Sequence, residues 1–166
     1  MNTFSIINRG TLHKCIDDTF LNAIENIYAL CGLKITHYGV GITHKDTGKL
    51  KKYRKGKILY KYLNDTDLER ISFFSVPEDF TTVAFDYLLF ISINYMNNYI
   101  IATFDESVIK HECIENIKSI LDTYMEKPYM QEIYMMDKEE TPLLYAKGTK
   151  NNFKTLKILS CKTVKE

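Results

Sequence analysis

The sequence predicts an α+β fold: one domain built from a mostly antiparallel sheet with two main helices packed on it. Residues 83–104 read as two apolar strands joined by asparagines, and they form the central hairpin. Two segments, about 18–31 and 107–125, repeat apolar residues at helical spacing. The order helix, several strands, helix, strands is that of an α+β domain. A chain of 166 residues buries roughly 70% of its unfolded surface, enough for a core without disulfide or metal staples. Residues 1–166 contain no internal repeat, low-complexity tract or Pro/Gly linker, so one domain is expected.

Taken in order, "MNTFSIINRG" has no basic start followed by an apolar core, so no secretory signal is expected and the localisation is read as cytoplasmic. Asp17 or Asp18 suits the N-cap of the first helix, and Phe20, Ile24, Ile27, Tyr28 and Cys31 form its buried stripe. Gly32 follows where a left-handed stop is usual. In "LKITHYGVGIT", Tyr38, Val40 and Ile42 share one strand face. Gly39 and Gly41 lie on the other, leaving room for a neighbouring helix or backbone. Residues 45–57 are polar and basic, an exposed loop or ragged hairpin leading to a strand at Ile58 to Leu63. "TDLE" from Thr66 has capping-box spacing, so one helical turn is expected before a strand at Ile71 to Val76.

In the central hairpin one parity is wholly apolar (Val83, Phe85, Tyr87, Leu89, Ile91, Ile93, Tyr95) and the other is mixed. That pattern fits a strand covered fully on one face and partly on the other. Asn97 and Asn98 tolerate the positive φ of a tight turn. Asp105-Glu106-Ser107 suits a helix N-terminus, after which Val108, Ile109, Cys113, Ile117, Ile120, Leu121 and Tyr124 recur to about Met125. Pro128 is expected to close that helix. "YMQEIYMMD" then alternates, "KEETP" is a turn, and residues 149–166 supply a tail with an edge strand over Phe153 to Ile158.

Lys+Arg 22 against Asp+Glu 21 argues against a nucleic-acid binder that uses its whole surface. The most apolar window, Phe80 to Tyr95, carries Asp86 and is too short to cross a bilayer as a helix, so no membrane partner is expected. Cys15, Cys31, Cys113 and Cys161 form no CxxC or CxH grouping, and no zinc site can be read from their spacing. The four histidines are scattered: His37 and His44 point to opposite faces of a regular strand, and His111-Glu112 lacks the second histidine of a zinc helix. His111 and Cys113 do not face each other on a helix. The pairs Asp17-Asp18, Asp105-Glu106 and Glu139-Glu140 sit at caps and turns, where acids are expected without chemistry. "YGVGIT" lacks the third glycine and the helix of a phosphate loop. No catalytic, metal or cofactor motif is legible, and the chain is read as a non-enzyme.

The basic run Lys45, Lys49, Lys51, Lys52, Arg54, Lys55 and Lys57, with Tyr53 interleaved, reads either as a solvated loop or as a phosphate-tracking patch. The second option makes the chain a nucleic-acid-associated accessory protein. An enzyme whose site is assembled from distant residues is a further alternative. Twelve tyrosines and no tryptophan suit a protein interface, although an AT-rich genome produces the same bias.

From Tyr129 to Gly148 the chain shows an alternating strand, a short acidic turn and "PLLYAKG" at Pro142 to Gly148. This segment, with the hairpin and helix before it, resembles the small α+β immunity proteins of bacterial toxin–immunity systems over roughly residues 80 to 148. The resemblance implies a cytoplasmic protein that binds and neutralises a cognate toxin domain, often a nuclease with a cationic cleft. Acidic residues would be natural contacts to such a cleft. Glu132, Tyr134, Asp137, Glu139 and Glu140 cluster around one strand and turn and are the contact residues it suggests.

Overall fold

The fold is taken from a computed structural model, which describes residues 2–13, 16–42, 45–46, 50–63, 65, 67–77, 88–108, 110–137 and 155–163. In chain order the elements are β1 (Asn2–Leu12), α1 (Asp18–Leu30), β2 (His37–Ile42), β3 (Lys45–Asp46), β4 (Lys51–Lys52), α2 (Lys55–Tyr62) and β5 (Leu68–Ser75). β6 (Leu89–Asn94), β7 (Tyr99–Asp105), α3 (His111–Thr123), β8 (Met125–Asp137) and β9 (Lys157–Thr163) follow. The strands form one open antiparallel sheet in the order β3-β2-β5-β6-β7-β1-β8-β9, with β4 also paired to β2. The mixed α+β class expected from sequence is the one observed.

The hairpin β6–β7 lies near the middle of the sheet, and every residue of β6 is buried. Leu89, Ile91 and Ile93 join the main core, whereas Phe90 belongs to a second cluster on the opposite face with Ile7, Ile101, Tyr134 and Met136. Residues 83–87 of the expected hairpin lie outside the described residues. The turn holds four residues, 95–98, and Asn98 takes φ +54°. Asn94 Oδ1 accepts from the Asn97 N–H at 2.8 Å, tying the turn to the end of β6.

All three helices contribute to the core on the face of Leu89, Ile91 and Ile93. α1 begins as its sequence requires, with the Phe20 N–H donating to Asp17 Oδ1 at 2.8 Å, and Gly32 follows at φ +69°. Its stripe Phe20, Ile24, Ile27 and Tyr28 is almost fully buried. Burying one such side chain contributes about 1.5–3 kcal/mol, so this stripe rather than helix propensity holds α1 in place. Phe20 meets Tyr124 edge-on, ring centroids 5.1 Å apart, which joins α1 to the end of α3.

Several expectations are corrected. Ile58 to Leu63 is not a strand: Ile58 and Tyr62 are four apart and both buried, the signature of the helical face that α2 turns inward. No helical turn precedes β5 among the described residues; the Asp67 N–H donates to Asp65 Oδ1, and the chain enters β5 at Leu68. The helix expected from about 107 is α3, and it begins at His111. Asp105 spends its carboxylate locally, accepting from the Ser107 N–H at 3.0 Å and the Ser107 hydroxyl at 2.8 Å, a turn that competes with helix initiation. Pro128 does not close α3. It lies within β8, opposite Gly10 at a register shift, where a missing N–H is tolerated.

Among the described residues, the nearest neighbours of the strand glycines are side chains: a Cβ on Gly39 would touch Leu50 and Phe74, and one on Gly41 the side chain of Arg70. The edge strand is β9, displaced from the expected 153–158 to Lys157–Thr163. β1 was assigned no element from sequence, yet it is an inner strand pairing β7 and β8.

Candidate partner-binding edge

β8 sets the geometry of the site. Its alternation sends Ile133 toward the main core and sends Tyr134 and Met136 to the second cluster on the opposite face. Of the five residues proposed from sequence, Glu132 and Tyr134 share that opposite face. Asp137 ends β8 opposite Asn2, and its N–H donates to the Thr155 hydroxyl at 3.0 Å. Glu139 and Glu140 lie outside the described residues.

Tyr134 is 3% exposed, and its ring is part of the packed face rather than a surface contact. Burial, reinforced by a hydrogen bond to Glu132, holds its phenol well above the usual value, so the hydroxyl stays a donor at any ordinary pH. The same carboxylate lies 3.6 Å from Arg9 Nε, with the side chains 27% and 14% exposed for Arg9 and Glu132. The Arg9 guanidinium in turn sits 5.8 Å from the centre of the Tyr99 ring, a cation–π arrangement. Glu132 is therefore already engaged from two sides. The alternation of β8 was legible in the sequence, whereas a contact role for Glu132 and Tyr134 came from the resemblance alone. Sequence reasoning missed Arg9 and Tyr99 because β1 was not read as a strand.

Beyond β8 lies β9, the last strand on this side of the sheet among the described residues. Among those residues it pairs with β8 alone, and none of them pairs with the other side of its seven residues. Ser160 pairs with Ile133 and Ile158 with Tyr134, which leaves Leu159 as an extra residue, a bulge. Ile158 is 65% exposed and Leu159 50%. Covering what they leave open would contribute about 1–2 kcal/mol each. Lys157 and Lys162 flank this pair and are also exposed, as is Cys161. The exposed charge on the strand is thus cationic.

Elsewhere the chemistry-bearing side chains are dispersed. His13 Nδ1 contacts Glu126 Oε1 at 3.1 Å on the surface, and His37 Nδ1 contacts its neighbour Thr36 at 2.9 Å. Among the described residues no three His, Cys, Asp or Glu side chains group as a metal site. Cys31 and Cys113 are buried free thiols; burial first, then the proximity of Cys113, pushes the Cys31 thiol up to about 11. No described helix is long and apolar enough to cross a membrane. Tyr53, interleaved in the basic run, packs edge-on against Phe73 at 6.1 Å, and its hydroxyl donates to Glu25 at 2.8 Å. No known protein family, curated protein or solved structure matches this chain.

Proposed function

We propose that the chain is a non-enzymatic protein-binding module that takes an extended segment of its partner along β9, most concretely as an immunity protein against a toxin domain. The observation that supports this reading is the seven-residue edge strand carrying two adjacent exposed apolar side chains. Edges of this kind are recognition templates: main-chain hydrogen bonds supply affinity and alternate side chains supply selection. Arg9, Tyr99, Glu132 and Tyr134 form the packed support that keeps β8, and through it β9, in one geometry. The partner segment carries acidic residues beside apolar ones, matching Lys157 and Lys162 around Ile158 and Leu159.

The test is co-purification with the product of the gene immediately upstream, since an inhibitor and its toxin are usually encoded side by side. The wild-type chain is expected to form a complex that Leu159→Lys abolishes while remaining folded. Absence of any complex with the wild type would refute the immunity reading. A complex untouched by Leu159→Lys would refute its placement on β9.

A further inference from the structure

Residues 50–63, "LKKYRKGKILYKYL", contain six basic residues and no acidic one, in a chain whose formal charge is only +1. The rest of the protein is therefore net acidic, and this segment is its cationic pole. Sequence reading placed the positive charge in a loop at 45–57. In the structure, residues 55 onward belong to α2, and the aromatic within that run, Tyr53, is committed to Glu25 and Phe73. A different aromatic takes its place.

α2 turns Ile58 and Tyr62 into the core, which leaves Lys57, Tyr60 and Lys61 on its outer side. Tyr60 is 91% exposed, the most exposed large hydrophobic among the described residues. Gly56 lies one turn before Tyr60 on α2. Gly56 supplies no side chain there, and a Cβ built on it would meet nothing within 4 Å. The α2 surface there is accordingly open. Lys55 is tied down by Asp18 at 3.0 Å, with Glu25 at 4.0 Å and Asn22 adding to the contact. Lys51, Lys52, Arg54, Lys57 and Lys61 form no ion pair among the described residues.

We propose that the outer face of α2, with the adjoining strand β4, is a binding site for a single-stranded nucleic acid, whose phosphates meet Arg54, Lys57 and Lys61 and one of whose bases stacks on Tyr60. The inference does not depend on the β9 reading. An unpartnered aromatic ring between lysines meets both chemical needs of such a strand, a cationic track for the backbone and a flat apolar surface for a base. A duplex keeps its bases stacked and cannot use the ring. An anionic lipid surface fits less well, because an interfacial helix inserts its apolar face, and the apolar face of α2 is occupied by the protein core.

The test is fluorescence anisotropy with labelled 12-nucleotide oligo-dT and oligo-rU, at 50 to 300 mM NaCl, on the full chain. Binding is expected to fall with salt, with a slope of about −0.7 per phosphate contact. Lys57→Gln with Lys61→Gln should flatten that slope. Tyr60→Ala should weaken binding roughly 5- to 150-fold with the slope kept, and Tyr60→Phe should restore it. All three positions are exposed, and unchanged melting temperatures would show that the variants fold. DNA and RNA arms of equal strength indicate backbone-and-stacking recognition, whereas a preference for oligo-rU adds a contact to the 2′-hydroxyl. Failure of both oligonucleotides to bind at 50 mM salt would overturn the proposal. So would binding indifferent to Tyr60→Ala, equal competition by duplex, or capture by anionic phosphatidylglycerol vesicles that oligonucleotides do not relieve.

Discussion

At one edge of the sheet β3 and β4 contribute two residues each, all but one of them lysine; at the other, β9 runs for seven residues and exposes Ile158 and Leu159 side by side. Very short edge strands with lysines are the usual way a sheet avoids unwanted pairing. β9 has lysines too, but they frame an apolar pair instead of replacing it. Among the described residues, the contrast is between an edge of two-residue strands and a seven-residue edge, and the proposed function rests on the second. The proposed binding edge lies on the side of the sheet where β8 carries the buried Tyr134, with Arg9 and Tyr99 beside it.

The largest expected effect comes from removing the Tyr134 ring. Tyr134→Ala empties a packed position on the face opposite the helices and should cost about 3–5 kcal/mol in chemical denaturation. If the cost falls below about 1 kcal/mol, β8 is not the support described here. Next, Leu159→Lys should weaken partner binding by roughly 30-fold or more, as for a central interface anchor. Its effect on stability should stay within about 0.5 kcal/mol, because the side chain is half exposed. Titration calorimetry and thermal melting together separate the two quantities.

The edge of short strands offers a smaller contrast. Tyr53→Phe deletes the hydroxyl that donates to Glu25 while keeping the ring against Phe73. A loss of about 1 kcal/mol in stability is expected, with no change in partner binding. The mildest probe is chemical labelling. In a Cys15→Ser background one thiol, Cys161, should react rapidly with a maleimide at pH 8, since Cys31 and Cys113 are buried and burial keeps Cys31 protonated. Rapid reaction at two or three sites would show that the main core opens more readily than its packing implies.

The two edges also differ in how far their sequences announced them. At the β8 side, "YMQEIYMMD" alternates cleanly because Ile133 faces the main core while Tyr134 and Met136 face the second cluster. The strand was legible for that reason, and with it the shared face of Glu132 and Tyr134. β1 was not: Ile6 faces one core and Ile7 the other, and buried Thr3, Ser5 and Asn8 interrupt the hydrophobic pattern. Their polar groups are satisfied by partners distant in sequence, as in the 2.8 Å Ser5–Thr103 hydroxyl contact and the 2.6 Å bond from Asn8 Nδ2 to Asp122. Such partners are invisible in a local window. At the other edge, α2 was mistaken for a strand because Ile58, Leu59, Tyr62 and Leu63 sit in a run too short to show a period. The register bulge at Leu159 is likewise a property of pairing with β8, not of "KILSCKT" itself.

The claim at the centre of this account is that β9 accepts a partner strand. Hydrogen–deuterium exchange of the chain, alone and saturated with the upstream-encoded protein, measures it directly. The account predicts added protection across residues 157–163, with β3 and β4 unchanged. Protection confined to any other surface, with β9 exchanging as fast as in the free protein, would contradict it.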